Sequence, residues 1–212
     1  MPSNQHEELE REIQCHLAEG CHEKAATLAI RGFGAEIFGF LVAFHRDQED
    51  AAEVFAAFSE RLWRDLRTFR GDSSFRTWAY VLARHASLNY RREARRREKR
   101  QRPLSEGSEL AAIVALVRSE TASYLRTERQ SRFAALRASL PPADRALLVL
   151  RVDRGLAWNE LARVLHEGDA PLGEAELTCE AARLRKRFQL LKARLLEMGR
   201  RAGVVSKEPE GS

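Results

Sequence analysis

The stretch from Phe69 to Arg102, FRGDSSFRTWAYVLARHASLNYRREARRREKRQR, decides how the chain folds. It opens with the turn-forming residues Gly71-Asp72-Ser73-Ser74. A helix is predicted from Phe75, because Ser73 or Ser74 can accept hydrogen bonds from the free N–H groups of the first turn. The predicted helix then runs into a basic tail.

Side chains of this helix fall on two stripes when each residue turns by 100°. One stripe is cationic, with an aromatic ring set into it: Arg76, Tyr80, Arg84, Ser87 and Arg91. The other is mostly apolar: Trp78, Leu82, His85, Ala86 and Asn89. We therefore expect the second stripe to pack inside the protein and the first to face outwards.

The end of this helix and the residues after it are strongly basic. Between Arg84 and Arg102 the sequence has nine Lys and Arg residues against two acidic ones, Glu93 and Glu98. Such a run binds phosphates, because each Arg neutralises backbone charge and releases counterions. Aromatic rings beside it can stack on unpaired bases. The alternative is a solvated helix end followed by a disordered basic linker.

The same stretch resembles region 2 of the bacterial sigma-70 family, most closely the extracytoplasmic-function (ECF) group. In that family a similar segment, FRGxSxFRTWLYxIAxN…RR, binds and opens the promoter −10 element. More than ten positions match without a gap, while His85 stands where the family usually has Asn. The resemblance implies that −10 DNA is contacted by these residues: Arg70, Asp72, Ser73, Ser74, Arg76, Trp78, Tyr80, Arg84, His85, Asn89, Arg91, Arg92 and Arg95.

Composition places the chain among helical, nucleic-acid-binding proteins. Its 212 residues suffice for one ordinary domain or two small ones. A low aromatic content of 8% with abundant Ala, Leu, Arg and Glu favours an all-α fold. The net charge is +5, yet residues 1–60 hold twelve acidic and four basic side chains. An acidic head on a basic body indicates two kinds of partner, one of them polyanionic.

No sequence signal points to a membrane, a metal or a disulfide. No apolar run reaches the ~20 residues of a membrane span and no signal peptide is recognised, so we expect a cytoplasmic protein without a membrane partner. Cys15, Cys21 and Cys179 are dispersed and odd in number, as in a reduced protein. Cys15-His16 and Cys21-His22 could be ligands, but their spacing matches no standard zinc pattern. Neither a metal nor a cofactor is expected.

The segment before the central stretch predicts three helices, at 6–19, from His22 to about His45, and at 50–69. Gly32 and Gly34 predict a bend or break in the second. The third has a continuous apolar stripe, which a plain core helix would explain. It also resembles the sigma-family helix DAEDLVQETFLRAW, which docks on the polymerase β′ clamp, although Ala56-Ala57 replace the usual Gln-Glu pair. The resemblance implies that the core polymerase is bound by Asp50, Glu53, Val54, Phe58, Arg61 and Trp63.

The C-terminal part of the chain contains LPPADRALLVLRVDRGLAWNELARVL, residues 140–165. It resembles the opening half of sigma region 4, LPPxxRxVLxLRxxxGLSYxEIAxxL, a helix-turn-helix DNA reader. The turn after it, residues 166–177, is longer than the usual three or four residues. Thr178 is then expected to cap a recognition helix whose buried stripe is Leu184, Phe188, Leu191 and Leu195. Residues left to read the −35 element are Arg183, Arg185, Lys186, Arg187, Gln189 and Lys192.

The predicted organisation is two small helical domains joined by a linker. The predicted segments are an acidic helix (1–19), a region 2-like domain (20–102), a linker (103–118), a region 4-like helix-turn-helix domain (119–198) and a frayed tail (199–212). The alternative for 103–118 is an extra helix packed on the first domain.

The function implied by the resemblance is that of an ECF sigma factor. Its implied partners are RNA polymerase core, through the β′ clamp and the β flap, and promoter DNA; an anti-sigma factor is a further candidate. The alternative is a helix-turn-helix regulator or basic nucleic-acid-binding protein that acts without polymerase. An enzyme is disfavoured, because the sequence has no P-loop, dinucleotide-binding, zinc-protease or nucleophile-elbow motif.

Overall fold

The computed structural model describes residues 3–97, 112–113, 115–117, 132–166, 168 and 171–202. Every secondary-structure element in these ranges is helical, which confirms the all-α fold class. The chain divides into two compact units, residues 1–122 and 123–212. The described helices of the first unit are α1 (Ser3–Ala18), α2 (His22–His45), α3 (Gln48–Asp65) and α4 (Phe75–Arg97). Those of the second are α5 (Arg132–Ala138), α6 (Pro142–Leu148), α7 (Trp158–Leu165) and α8 (Glu174–Arg201).

Helix α2 is the centre of the first unit. It runs unbroken through both glycines, so the predicted break is wrong. The reason is packing: a Cβ on Gly32 would lie 2.2 Å from Leu9 Cδ2 of α1, and one on Gly34 would lie 3.1 Å from Val117 Cγ1. Among the described helices only α2 is long and apolar enough to cross a membrane, and 61% of its most apolar window is buried in the unit.

Helices α3 and α4 pack on α2 and complete the described core. Asp47 caps α3, since its carboxylate accepts hydrogen bonds from the backbone N–H of Glu49 (2.7 Å) and of Asp50 (2.9 Å). A 3₁₀ turn, Leu66–Thr68, follows α3 and leads to the turn before α4. Completely buried side chains of this core include Phe33, Phe38, Phe40, Val54, Phe55, Phe58, Phe75 and Tyr80.

The described part of the predicted linker lies against this unit. Ile113 is 5% exposed and Val117 is 4% exposed, and Val117 is the side chain that meets Gly34. For residues 112–113 and 115–117 this packing favours the alternative of an additional helix on the first domain. The domain boundaries at 102 and 118 stay predictions.

The second unit is built from short helices around the long helix α8. Helix α6 starts with Pro142 in its first turn and continues into a π-helical turn, Val149–Asp153. Leu140, Leu148 and Leu191 form a buried cluster against which Phe188 and Leu195 pack. Leu184 is also buried, at 2% exposure, so the predicted stripe faces the core, with Leu184 and Leu191 buried and Phe188 and Leu195 half-buried.

Helix α8 begins earlier than expected. It starts at Glu174 rather than near Thr178, because the carboxylate of Glu176 accepts the backbone N–H of Gly173 at 2.9 Å and so closes the first turn. The Thr178 hydroxyl donates to the carbonyl of Glu174 inside the helix instead of capping it. The turn between α7 and α8 is therefore shorter than the predicted one, spanning 166–173.

Candidate nucleic-acid interface

The N-terminal turn of α4 is fixed by local hydrogen bonds. Ser74 Oγ accepts the backbone N–H of Thr77 at 3.1 Å, so Ser74 is the cap, as one of the two predicted alternatives. Gly71 has φ +79°, which lets the chain reverse direction ahead of the helix. Arg70 and Asp72 project from this turn, at side-chain exposures of 80% and 77%. The turn thus presents both charges to solvent.

One face of α4 is buried where the sequence predicted an outward cationic stripe. Tyr80, Arg84 and Ser87 are 0%, 3% and 0% exposed. The Tyr80 ring meets Phe40 edge to face at 5.6 Å, and the Arg84 guanidinium lies 4.7 Å from the Phe44 ring centre. The aromatic side chains of α2 take up this face, so the outward assignment of Tyr80 and Arg84 is wrong.

The opposite face of α4 is partly exposed. Trp78 and His85 are half-buried, while Asn89 and Arg92 are exposed. These four positions are spaced by seven, four and three residues, which places them on one line along the helix. Leu82 and Ala86, from the same predicted apolar stripe, are buried at its edge. We call Trp78, His85, Asn89 and Arg92 the outward line.

An aromatic cluster adjoins this line at the start of α4. Phe69, Phe75 and Trp78 have ring centres 5.2 to 5.4 Å apart. Phe75 is completely buried, whereas Phe69 and Trp78 are half-buried. The two partly exposed rings lie next to the exposed turn of Arg70 and Asp72. Partly exposed rings of this kind can stack on bases.

Arg76 is held inside the first unit. Its guanidinium makes a bidentate ion pair with Glu36 of α2, at 2.7 and 3.0 Å, and the two side chains are 14% and 11% exposed. Its backbone N–H donates to Glu10 of α1 at 3.0 Å. The predicted DNA contact of Arg76 is therefore corrected to a tie between α4, α2 and α1. Periodicity could not show this, because the two partners lie 40 and 66 residues away.

The basic end of α4 is only partly described. Arg91 is exposed and lies 5.7 Å from the Phe44 ring centre, and Arg92 is exposed beside it. The side chain of Arg95 lies outside the described part of the structure. The two described arginines leave cationic charge on the surface beyond Asn89.

The predicted polymerase-binding residues of α3 divide between core and surface. Val54 and Phe58 are 0% exposed, so both belong to the core. Asp50 accepts the Tyr90 hydroxyl of α4 at 2.5 Å. Glu53 is exposed, and Arg61 and Trp63 are half-buried. Exposed positions of α3 then follow one another along a line, Glu53, Ala57, Glu60 and Arg64.

The second unit presents all six predicted −35 residues on the surface of α8. Three of them are held by other side chains. Arg183 pairs with Glu180 at 2.9 Å, Arg187 pairs with Asp144 of α6 at 2.6 Å, and the Arg185 guanidinium lies 5.7 Å from the Trp158 ring centre. Lys186, Gln189 and Lys192 are exposed. The buried side of the helix faces α6 and α7.

One aromatic pair and one cation–π contact in this unit were not predicted from the sequence. Trp158 packs edge to face on Phe188 at 5.7 Å, and Arg151 lies over its ring at 4.7 Å. Arg151 also donates to the carbonyl of Leu156 at 2.8 Å. The signal was present in the sequence as an Arg seven residues before a Trp, separated by Gly155. The contact between Arg151 and Trp158 depends on the π-helical turn that contains Arg151, and helical periodicity does not predict that turn.

The first unit also matches a known family. The profile described as Sigma-70 region 2 matches residues 30–97, from within α2 to the end of α4. The RNA polymerase sigma-H factor of Pseudomonas aeruginosa is 27% identical over 68% of this chain and 76% of its own. These matches support the resemblance of the chain to sigma-70 family factors of the ECF group.

Two further relatives extend the likeness beyond region 2. The RNA polymerase sigma factor YlaC of Bacillus subtilis is 26% identical over 82% of this chain and 96% of its own. The ECF RNA polymerase sigma-E factor of Haemophilus influenzae is 24% identical over 71% of this chain and 79% of its own. The outward line, the turn before it and the exposed side of α3 all lie within the residues matched to sigma region 2.

The cysteine-histidine pairs lie near the end of α1 and at the start of α2. Among the described residues no group of three His, Cys, Asp or Glu side chains could hold a metal ion. Cys15 lies near Glu19, with Sγ 3.6 Å from its carboxylate. The negative charge of Glu19, followed by this hydrogen bond, raises the pKa of the Cys15 thiol. A raised pKa keeps the thiol protonated and poorly nucleophilic.

Proposed function

We propose that this chain binds RNA polymerase core and directs promoter-specific initiation, with its first unit opening the −10 element and its second reading the −35 element. The single observation that carries the proposal is the outward line of α4 inside the region matched to sigma region 2. His85 and Asn89 lie at the positions that the family resemblance assigns to base reading, and Trp78 lies on the same face.

The first unit offers the chemistry that strand opening requires. Unpairing and unstacking a base costs a few kcal/mol, which the protein offsets by stacking and hydrogen bonding to the exposed base. Phe69 and Trp78 supply partly exposed rings, and Asn89 supplies an amide that can donate and accept. Arg70, Arg91 and Arg92 supply exposed charge for the phosphates. Asp72, Ser73 and Ser74 complete the turn.

The second unit offers a cationic helix for the duplex. Helix α8 presents Arg183, Arg185 and Arg187 together with two lysines and Gln189. Arg is the geometric partner of guanine and Gln of adenine, while Lys reaches phosphates as a point charge. Helix α7 supports α8 through Trp158 on Phe188, in the manner of a helix-turn-helix.

Polymerase binding is assigned to the exposed line of α3. Glu53 and Glu60 give it acidic character and Ala57 leaves room for a close approach. We propose the β′ clamp as the partner of this line and the β flap as a partner of the second unit. An anti-sigma factor remains a further candidate partner. The proposed site of action is the cytoplasm.

Reconstitution with core polymerase tests the proposal. The full chain is mixed with core enzyme and fragmented genomic DNA, and transcript starts are mapped. We expect starts at a shared pair of upstream elements, and stable co-purification with core enzyme. Polymerase-free binding to DNA, with no association and no specific starts, would instead establish the regulator alternative.

A paired substitution separates opening from folding. Asn89→Ala on the outward line should slow strand opening roughly tenfold or more while leaving the closed complex intact, because stacking and base contacts form only with unpaired DNA. Permanganate reactivity of unpaired thymines measures the opening. Gln14→Ala on exposed α1 is the matched control and should open at the parent rate. Equal opening by both variants would contradict the assignment of Asn89.

A further inference from the structure

One arginine of α8 is clamped from a different helix. Arg187 Nε and Nη2 both reach Oδ1 of Asp144, at 2.7 and 2.6 Å. Asp144 lies in the first turn of α6, 43 residues away in sequence. Its side chain is 16% exposed, whereas that of Arg187 is 42% exposed. The carboxylate is therefore anchored in the unit, while the guanidinium reaches solvent.

The way in which Arg187 is held leaves one edge of its guanidinium unused. A guanidinium has five N–H donors arranged as a side edge, Nε with Nη2, and an end edge, Nη1 with Nη2. Asp144 occupies the side edge. The Nη1 group has no partner among the described residues. The end edge can donate two parallel hydrogen bonds to guanine O6 and N7 in the major groove.

The other two arginines among the predicted −35 residues are held by a partner on the same helix or by an aromatic ring. Arg183 uses the same edge, with Nε and Nη2 at 3.2 and 2.9 Å from Oε1 of Glu180, but this partner lies on its own helix and Arg183 is 73% exposed. Arg185 lies 5.7 Å from the Trp158 ring centre, a contact that leaves its hydrogen-bonding direction open. The Asp144 contact is shorter than the Glu180 contact, joins two helices and holds the less exposed guanidinium, so Arg187 is fixed more firmly than Arg183. A side chain that is already oriented loses less entropy when it binds.

We propose that Asp144 is a positioning residue that makes Arg187 the guanine-reading side chain of the second unit. The inference rests on the proposed function, since it requires α8 to lie in the major groove. Adenine would present its N6 amino group to the donors of Arg187, and the fixed guanidinium could not turn away from it. Asp144 thereby sets base preference at one position without touching DNA.

Selection of DNA from a pool with a randomised upstream element tests the pair. The full chain is assembled with core polymerase, and bound DNA is sequenced for the parent, Asp144→Ala, Asp144→Asn and Arg187→Lys. The matched control is Asp153→Ala, because Asp153 makes a bidentate pair with Arg137 of α5 rather than with α8. Circular dichroism verifies that each variant is folded, and Asp144→Asn, which keeps the side-chain shape, carries the test if Asp144→Ala does not fold.

The parent should prefer guanine at one position by about fivefold to about a hundredfold, the range of a bidentate pair. Arg187→Lys and Asp144→Ala should reduce this preference to about twofold at that same position and leave other positions unchanged. Asp144→Asn should fall between, because its amide oxygen still accepts a hydrogen bond. Asp153→Ala should keep the parent preference.

Two results would overturn the inference alone. One is an unchanged guanine preference in both Asp144 variants; the other is a gain of affinity for all sequences alike, which would make Asp144 a mere counter-charge. A parent holoenzyme that enriches no upstream sequence would overturn the proposed function, and the inference with it.

Discussion

The fold changes the ionisation of His45. It ends α2, its Nε2 lies 3.1 Å from Ser87 Oγ of α4, and its ring meets Tyr90 edge to face at 5.6 Å. Burial lowers the pKa of His45 to about 4, and Arg91 and Arg84 act in the same direction. The carboxylates of Asp50 and Asp47 oppose this shift without cancelling it. His45 is therefore neutral in the folded protein at physiological pH.

Stability should consequently fall as the pH is lowered from about 6.5 to about 4. In that pH range His45 is protonated in the unfolded chain and neutral in the folded protein, so protons favour unfolding. We expect a loss on the order of 1 kcal/mol between pH 7.5 and pH 5, after allowance for solvent screening of this partly exposed ring. Urea unfolding of the parent and of His45→Gln measures it, because glutamine keeps a polar partner for Ser87. An equal pH effect in both proteins would exclude His45 as the cause.

At the scale of helices, α4 is tied at its start to both α1 and α2. Glu36 of α2 holds the Arg76 guanidinium and also lies 3.6 Å from His6 Nε2 of α1. His6 stacks on Phe33, which stacks on Phe75, with ring centres 5.8 and 6.2 Å apart. This network places the turn of residues 70–74 relative to the bundle. The acidic N-terminal helix α1 is thus bound directly to the helices that match sigma region 2.

Glu36→Gln should therefore lower the free energy of unfolding by about 1–3 kcal/mol, because it leaves the charge of Arg76 without its bidentate partner in a largely buried place. Glu60→Gln, an exposed acid on α3, is the control and should change it by less than about 0.5 kcal/mol. In a protein that already carries Arg76→Met, Glu36→Gln should lower the free energy of unfolding by much less. Chemical unfolding of the four variants provides the double-mutant cycle. If the losses in unfolding free energy of the two single variants simply add in the double variant, Glu36 and Arg76 do not stabilise the fold through their ion pair.

Sequence reasoning located these helices well and misjudged which faces are buried. Helical periodicity correctly placed Trp78, His85 and Asn89 on one face of α4. Which face is buried, however, is decided by contacts with α2 and not by the polarity of the stripe. Phe40 and Phe44 on α2 accept Tyr80 and Arg84 as packing residues, because a guanidinium and a phenol both lie well on aromatic rings. Only tertiary packing contains that information. Periodicity alone assigned Trp78, His85 and Asn89 to the core, whereas the family motif indicated that they reach the surface.

The whole molecule has two compact units, and the sequence indicated two modules from two separate motifs. What it could not fix was where the first unit ends, because an apolar run as short as AAIVALV fits a linker turn and a packed helix equally well. Ile113 and Val117 are buried, and the contact of Val117 with Gly34 depends on a glycine 83 positions earlier in the chain. Contacts between residues so far apart in the chain cannot be predicted from hydrophobic periodicity.

Two units with separate cores should unfold in separate transitions. Tyr80 and Leu161 are both 0% exposed, one in each unit. Tyr80→Ala should cost about 3–5 kcal/mol in the first unit and Leu161→Ala about 2–5 kcal/mol in the second. In domains of this size each kcal/mol lowers the midpoint by about 4–8 °C, so scanning calorimetry of the full chain should resolve a different shifted transition in each variant. The exposed control, Gln14→Ala, should shift neither. A single substitution that lowered every transition together would show one cooperative core, and α4 and α8 could not then act as independent readers of two promoter elements.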